Sequence, residues 1–510
     1  MLNEKIKDII DNLSNSLVER EESLKLLLLA ALSGEHILLL GPPGTAKSEL
    51  ARRIKHAFVD ANYFERLLTK FSVPEELFGP LSIKALENDQ YSRLIKNYLP
   101  DASIAFIDEI FKSNSAILNT LLTLLNEREF DNGDQRLKTP LISVVAASNE
   151  LPEENELSAL YDRFLLRYQV APVSQNGFEE LLTIEEDNSF SIRNAFSHED
   201  IESIKKQSAK VKLPSNIAFM LKELREYLQD KEIYISDRRW RKVVKLLKVA
   251  ALTNDRDSIT VWDCWLLQHC LWEVPEQQSL IFNWYKQHIG TSEILNIERV
   301  NKLVKVWQQT LSEEKSRTVP VFNDKGEKLF LTPQGNKTTE SGKSYLADRD
   351  GEALYLIPTD TETPGDRTNG GNGLTRTELE NDFFDDYYQQ RHINGKWVSI
   401  DDYLKDEENR FTKQFQYETC QEAAKYSQQH IDDRCNELQN LLKDIQAFET
   451  QLSELHESLS NVAATHLWID NDFTTTAAKI LEANLASSTA VTKQINEIHE
   501  GFKSLPLIAA

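Results

Sequence analysis

HILLLGPPGTAKSELARRI, residues His36 to Ile54, sets a short apolar run ahead of a glycine-rich loop, and the loop ahead of a helix-forming stretch. That strand, loop, helix order cradles nucleotide phosphates, because backbone N–H groups turn inward around an anion and the helix offers its positive end. The loop comprises Gly41, Pro42, Pro43, Gly44, Thr45, Ala46, Lys47 and Ser48. Lys47 is placed to reach the β- and γ-phosphates, and the Ser48 hydroxyl to hold Mg²⁺. Such loops usually carry glycine before the lysine. Here the residue is Ala46, which is expected to keep a negative φ. Taken alone, the octapeptide also fits a surface turn.

The second half of the site weighs against that turn. SIAFIDEI (Ser103 to Ile110) is an apolar strand ending in Asp108 and Glu109. A carboxylate there supplies the second protein contact that Mg²⁺ on Ser48 needs, and Glu109 is the group to polarise an attacking water. LISVVAASNE (Leu141 to Glu150) is a further buried-strand pattern, and it delivers Asn149, whose amide can touch both γ-phosphate and water. Asn132-Gly133 in EFDNGDQRLKTP signals a hairpin just before it. Loop, acid and amide on successive strands predict a three-layer α/β nucleotide-binding core, with ligand at the carboxyl ends of the strands.

The motifs GPPGTAKS, FSVPEELFGPLSI (71–83), FIDEI, LLNERE, VVAASNELP and ALYDRF (159–164) resemble the MoxR branch of the AAA+ ATPases. FGPLSIKAL, SDRRW (236–240) and the long carboxyl-terminal extension are similar to the RavA-type regulatory ATPases within that branch. The resemblance is carried by the first half of the chain. It implies ATP/ADP and Mg²⁺ as ligands and a ring of copies of this chain, six by family habit. It implies that Arg163 enters a neighbour's site, with Arg167 as rival, and that Arg238 contacts γ-phosphate in its own subunit, with Arg239 as rival. Glu19 and Arg20 are implied near the adenine. A von Willebrand factor A-domain protein and a lysine decarboxylase are the implied partners. For an arbitrary arginine, a surface ion pair is the ordinary role.

Composition bounds the rest. The 510 residues exceed one core and predict three or four domains. With 58 basic against 81 acidic side chains the net charge is −23, which disfavours a general nucleic-acid engine and suits protein partners. The longest apolar run, Leu26 to Leu32, is far short of the ~20 residues that span a bilayer, and the amino terminus has no signal-peptide pattern. The four cysteines, Cys264, Cys270, Cys420 and Cys435, lack metal-ligand spacing and predict free thiols in a reducing compartment, the cytoplasm.

Residues 1–175 are expected to form the α/β core and 176–290 an all-α lid. In the lid, LPSNIAFMLKELREYLQ and SDRRWRKVVKLLKVAAL read as helices, the latter capped by Ser236. Six of the eight tryptophans fall between 240 and 307, as core residues of a small helical domain. Ile297, Val300, Val304, Trp307 and Leu311 form one seam, and Leu438, Leu441, Ile445, Phe448, Leu452, Leu455 and Leu459 another. Neither glycine nor proline occurs from Lys396 to Glu500, which favours long helices throughout. The expectation is a discontinuous helical stalk (291–315 and 401–510), its two seams packed together. A small β-rich docking insert (316–400) would sit at its tip, with 333–376 open to being a linker.

Three functions are compatible with these patterns. One is a Mg²⁺-dependent ring ATPase with chaperone-like action on partner complexes. Another is a nucleotide-bound scaffold without catalysis. The third is a nucleic-acid motor or chelatase subunit. An intact Glu109, Asn149 and Arg163 favour the first.

Overall fold

The apolar runs read from the sequence become strands of one sheet. In chain order the first seven strands are β1 (His36–Leu40), β2 (Tyr63–Leu67), β3 (Ile104–Asp108), β4 (Glu129–Asn132), β5 (Gln135–Lys138), β6 (Ser143–Ser148) and β7 (Phe164–Gln169). Five of them form a sheet in the order β2-β3-β6-β1-β7, every pair parallel. β1 and β6 are buried along their whole length, as expected for central parallel strands covered on both faces. The computed structural model describes residues 2–508 except 153–154, 185–191, 193, 290–296, 333, 341–343, 360–364 and 414–416. The expected lid–stalk boundary at 290/291 therefore lies outside the described residues.

Two compact units make up the chain, Met1–Leu303 with Asn440–Gln494, and Val304–Gln439 with Ile495–Ala510. In the first, helix Glu21–Ser33 buries Leu24 and Leu26 to Leu32, and ends on Gly34 at φ 68, whose N–H donates to Ala30 and Ala31 carbonyls. β4 and β5 form the hairpin expected from Asn132-Gly133. Its central residues are Gly133 and Asp134, since Asn132 pairs with Gln135. Gly133, at φ 72, cannot be replaced, because a Cβ would fall 1.8 Å from the Tyr91 carbonyl oxygen.

The lid helices run His198–Ser208, Ser215–Asp230, Asp237–Thr253 and Glu276–His288, with a 3₁₀ segment at Val261–His269. Ser236 caps the third of these by accepting from the Arg239 N–H. Trp262, Trp265, Trp272 and Trp284 are buried, the core role expected of them. Trp307 is not part of that cluster; it meets Phe502 edge-on at 5.9 Å within the second unit.

The carboxyl-terminal helices Gln428–Thr465 and Asn471–Lys503 differ from the expected stalk. Residues 440–494 belong to the first unit. There Phe473 packs on Trp265, Phe282 and Tyr285, Trp468 Nε1 donates to Thr253 Oγ1 at 2.8 Å, and buried His466 meets buried Asp263 at 3.2 Å. The 438–459 seam is real, with Ile445, Phe448 and Leu452 buried. Its helix is joined to the following one by Thr492 Oγ1 donating to Glu449 Oε1 at 3.0 Å. Within the second unit, Trp307 meets Phe502 and Leu311 lies against Gly501.

In the second unit the short strands extend past 400. Thr318–Pro320 pairs with Gln421–Ala423, Phe330–Leu331 with Glu418–Thr419, and Ser344–Tyr345 with Thr412–Lys413. Long helix begins only at Gln428. The absence of glycine and proline permits helix without dictating it, and strand partners from 318–345 decide the outcome for 412–423. Asn394 and Gly395, at φ 47 and 76, turn the hairpin of Gln390–Ile393 and Lys396–Ser399 as expected. Leu374, Leu379, Phe384, Ile400 and Tyr403 form a core cluster, and Arg367 ties the glycine-rich stretch to the Tyr403 hydroxyl at 3.0 Å.

Candidate functional site

The loop from Gly41 to Ala46 joins β1 to helix Lys47–Ile54. Gly41 must be glycine: at φ 154, a Cβ would lie 2.3 Å from the Val170 carbonyl oxygen. Gly44, at φ 82, faces open space. Ala46 overturns the expectation of negative φ, since it sits at 65. A left-handed alanine costs about 1–2 kcal/mol, and it persists because the residues around it are pinned. Thr45 Oγ1 donates to the Pro42 carbonyl at 3.0 Å, and buried Arg20 donates through Nε to the Thr45 carbonyl at 3.2 Å. Arg20 also donates to the Ala171 carbonyl at 2.8 Å, so it clamps the loop to the chain leaving β7.

Lys47 Nζ donates to the Gly41 and Pro42 carbonyls at 2.7 and 2.8 Å, and to Asn149 Oδ1 at 3.5 Å. Burial lowers its pKa, with Asp108 and Glu109 pulling the other way. An ammonium largely withdrawn from water and satisfied by neutral oxygens alone is suited to receive phosphate, as are the Ser48 hydroxyl and Asp108 carboxylate to receive a hard cation. Burial raises the Asp108 pKa, opposed by the hydrogen bond from the Glu109 N–H at 3.0 Å. A bound cation would favour the charged form.

Glu109 follows β3 at φ 52, which turns its side chain off the strand direction. Its Oε1 accepts from Asn149 Nδ2 at 2.7 Å, and its Oε2 lies 3.2 Å from Lys112 Nζ. Lys47, Asn149 and Glu109 thus form one hydrogen-bonded line across the ends of β1, β6 and β3. The sequence reading missed Lys112, although its place three residues after Glu109 was the available signal.

Glu19 accepts from the Ser174 N–H at 2.7 Å and from the Ser174 hydroxyl, at the start of helix Gln175–Thr183. With Arg20 it borders the loop, and both side chains are engaged by protein.

The arginines are elsewhere. Arg163 immediately precedes β7, whose Phe164 pairs with His36 at the start of β1. Arg238 donates to Asn126 Oδ1 and lies close enough to Arg163 to lower its pKa, after the larger effect of burial. One turn on, Lys242 Nζ meets Glu35, just ahead of β1, at 2.6 Å. Both arginines therefore stand at the amino ends of the strands, while the loop is at the carboxyl ends, roughly 20 Å away at ~3.3 Å per strand residue. Arg238, expected to reach γ-phosphate in its own subunit, stands away from its own loop in this arrangement. The lid helix is anchored to the far edge of the sheet by Glu35.

Burial separates the rivals. Arg239 is 2% exposed and donates to the Phe164 and Leu165 carbonyls at 3.0 and 2.8 Å. Arg167 is 3% exposed, donates to the Trp272 and Tyr161 carbonyls, and lies 3.6 Å over the Tyr161 ring. Both are internal ties between core and lid. Arg163 and Arg238 are the pair with access to solvent.

Residues 4–206 match the family described as the MoxR domain in the MoxR–vWA–beta-propeller ternary systems, and residues 216–285 match an AAA lid domain. Two uncharacterised proteins of Methanocaldococcus jannaschii are similar. One is 43% identical over 57% of this chain and 76% of its own length, the other 42% over 53% and 70%. A solved chain from Cytophaga hutchinsonii overlaps 56% of this chain and 94% of its own length, with 21% identity and a TM-score of 0.45.

Proposed function

The chain belongs to the MoxR family of AAA+ ATPases, and on that footing we propose that it hydrolyses ATP in a ring of identical subunits and uses the cycle to remodel or regulate partner protein complexes. The carrying observation is the line Lys47–Asn149–Glu109 beside Asp108. Lys47 would release its loop carbonyls to bind the β- and γ-phosphates. Mg²⁺ held by Ser48 and Asp108 would neutralise charge between those phosphates. Glu109 would accept a proton from the attacking water, and Asn149 would hold that carboxylate in place until γ-phosphate competes for its amide.

Arg163 and Arg238, standing together away from their own loop, would complete the site of an adjacent subunit and stabilise charge on the transferred phosphoryl group. A hexamer, cytoplasmic residence and a RavA-like division of labour belong to the same proposal. In that division the β-rich segment of the second unit recruits partners, among them a von Willebrand factor A-domain protein and an amino-acid decarboxylase. The presence of a vWA component in the systems named by the matching family supports the first partner.

Glu109→Gln tests the proposal. It should bind ATP as wild type does and hydrolyse it at least about 100-fold more slowly, the range of a lost general base. Equal turnover in Glu109→Gln and wild type would sink the assignment of Glu109, whereas binding without hydrolysis in wild type would leave nucleotide as a structural ligand of a scaffold.

A further inference from the structure

On the edge of the sheet opposite the phosphate loop lies a cavity of about 400 Å³, bounded by Ser33, Gly34 and Glu35 ahead of β1 and by Pro140 to Ile142 ahead of β6. Its charged lining is five cations, Arg128, Lys205, Arg238, Lys242 and Lys245, against two carboxylates, Glu35 and Glu202. Such an excess is unexpected by composition in a chain of net charge −23.

The carboxylates do not absorb it. Glu35 is taken by Lys242 at 2.6 Å and Lys245 at 3.4 Å, and Glu202 reaches only Lys205, at 3.5 Å. Arg128 leaves helix Ser115–Glu127 at φ 59 and turns its guanidinium inward. Its Nη2 donates to the Gly34 and Ile142 carbonyls at 2.9 and 3.2 Å, while its Nη1 is buried and has no acceptor among the described residues. A buried donor left unmade costs about 1–3 kcal/mol, so an acceptor is called for here. Burial pushes the Arg128 pKa down to about 10 and lowers that of Lys242, a penalty that a bound anion would relieve.

We propose that this cavity is a second anion site, built for the phosphate groups of a compact polyphosphate held by Arg128, Lys205 and Lys245. An arginine fork with several lysines fits tetrahedral, multiply charged phosphate better than a single carboxylate. That chemistry is supplied by a free polyphosphorylated small molecule.

Isothermal titration of the full-length protein with inorganic tripolyphosphate tests the site. Wild type should bind two per chain, one at the loop and one at the cavity. Lys47→Ala should keep the cavity site, and Lys205→Glu with Lys245→Glu should keep the loop site. The two lysines have side chains 64% and 43% exposed, so the double variant should fold. Loss of cavity binding should be at least about tenfold, 1.4 kcal/mol. Stoichiometry in Lys47→Ala equal to wild type would indict the loop reading alone. Binding that is the same in the double lysine variant and wild type would overturn the cavity. Cavity binding should persist when Lys47→Ala is titrated below its assembly concentration. Binding seen only in the assembled chain, with one ligand per chain in wild type, would show that loop and cavity share a single phosphate group and would overturn the proposal.

Discussion

The two ends of the central sheet are built from the same five strands and have opposite chemistry. At the carboxyl ends, Lys47, Asp108, Glu109 and Asn149 are linked by hydrogen bonds of 2.7 to 3.5 Å within one loop-and-strand-end cluster. At the amino ends, Arg163, Arg238, Arg128 and Lys242 come from three separate elements and share a positive field. The first cluster is nearly complete as it stands. The second has cations in excess of its acceptors. If the nucleotide site is divided in this way, as proposed, a second subunit would bring the halves together, and the two ends should respond differently to mutation.

The most severe test of that division is Arg163→Ala. If the arginine works in a neighbour's site, hydrolysis should fall by about 10³-fold or more with ATP affinity unchanged. Mixing this variant with Glu109→Gln should recover activity, because some interfaces then combine an intact arginine with an intact base. Failure of every mixing ratio, in rings verified to be mixed, would break the comparison.

Lys47→Ala acts at the carboxyl end alone. It should weaken ATP binding at the loop by roughly a hundredfold, equivalent to about 3 kcal/mol of charge-assisted contacts. Equilibrium binding of nucleotide checks it, and no mixture with another variant should restore the affinity of the altered subunit.

Arg238→Ala sharpens the comparison most. Its effect on turnover should be about tenfold to a hundredfold, that of one transition-state donor of lesser weight. Mixed with Glu109→Gln it should regain activity if Arg238 serves a neighbour. It should regain none if the lid swings to bring Arg238 over its own loop, and steady-state ATPase assays distinguish the two.

Arg239→Met tests structure and not chemistry. The buried guanidinium satisfies the Phe164 and Leu165 carbonyls, and its loss should destabilise the first unit by about 2 kcal/mol. The midpoint of denaturant unfolding should fall, while nucleotide affinity of the folded fraction stays that of wild type. The smallest effect on catalysis is expected from removing Thr318 to Ala423, whose strands pair with one another. ATP hydrolysis should stay within about twofold, as for loss of a separate folding unit, and capture of a vWA-domain partner should be lost.

Much of the carboxyl-end cluster was legible because its parts are local. GPPGTAKS, FIDEI and AASN each place a functional side chain at the end of a strand whose apolar run announces it. Ala46 was misread because steric preference alone assigns it negative φ, whereas Arg20 and Thr45 hold the loop in a shape that forces the opposite sign. The 412–423 stretch was misread for a related reason: composition allowed helix, and strand partners nearly a hundred residues earlier imposed pairing. Arg167 and Arg239 were indistinguishable from Arg163 and Arg238 as letters. Only burial tells an internal tie from an accessible cation.

The sequence by itself determined the parallel sheet, the phosphate loop and the acids and amide facing it, since each follows from a contiguous pattern and the chemistry of binding phosphate. Tertiary structure alone decided which end of the sheet the lid helix grips, what the late helices pack against, and where the surplus of cations collects. Those outcomes depend on contacts such as Lys242 with Glu35 and Trp468 with Thr253, between residues more than two hundred positions apart. No local periodicity encodes such contacts; they are fixed when the apolar faces of separate elements are buried together.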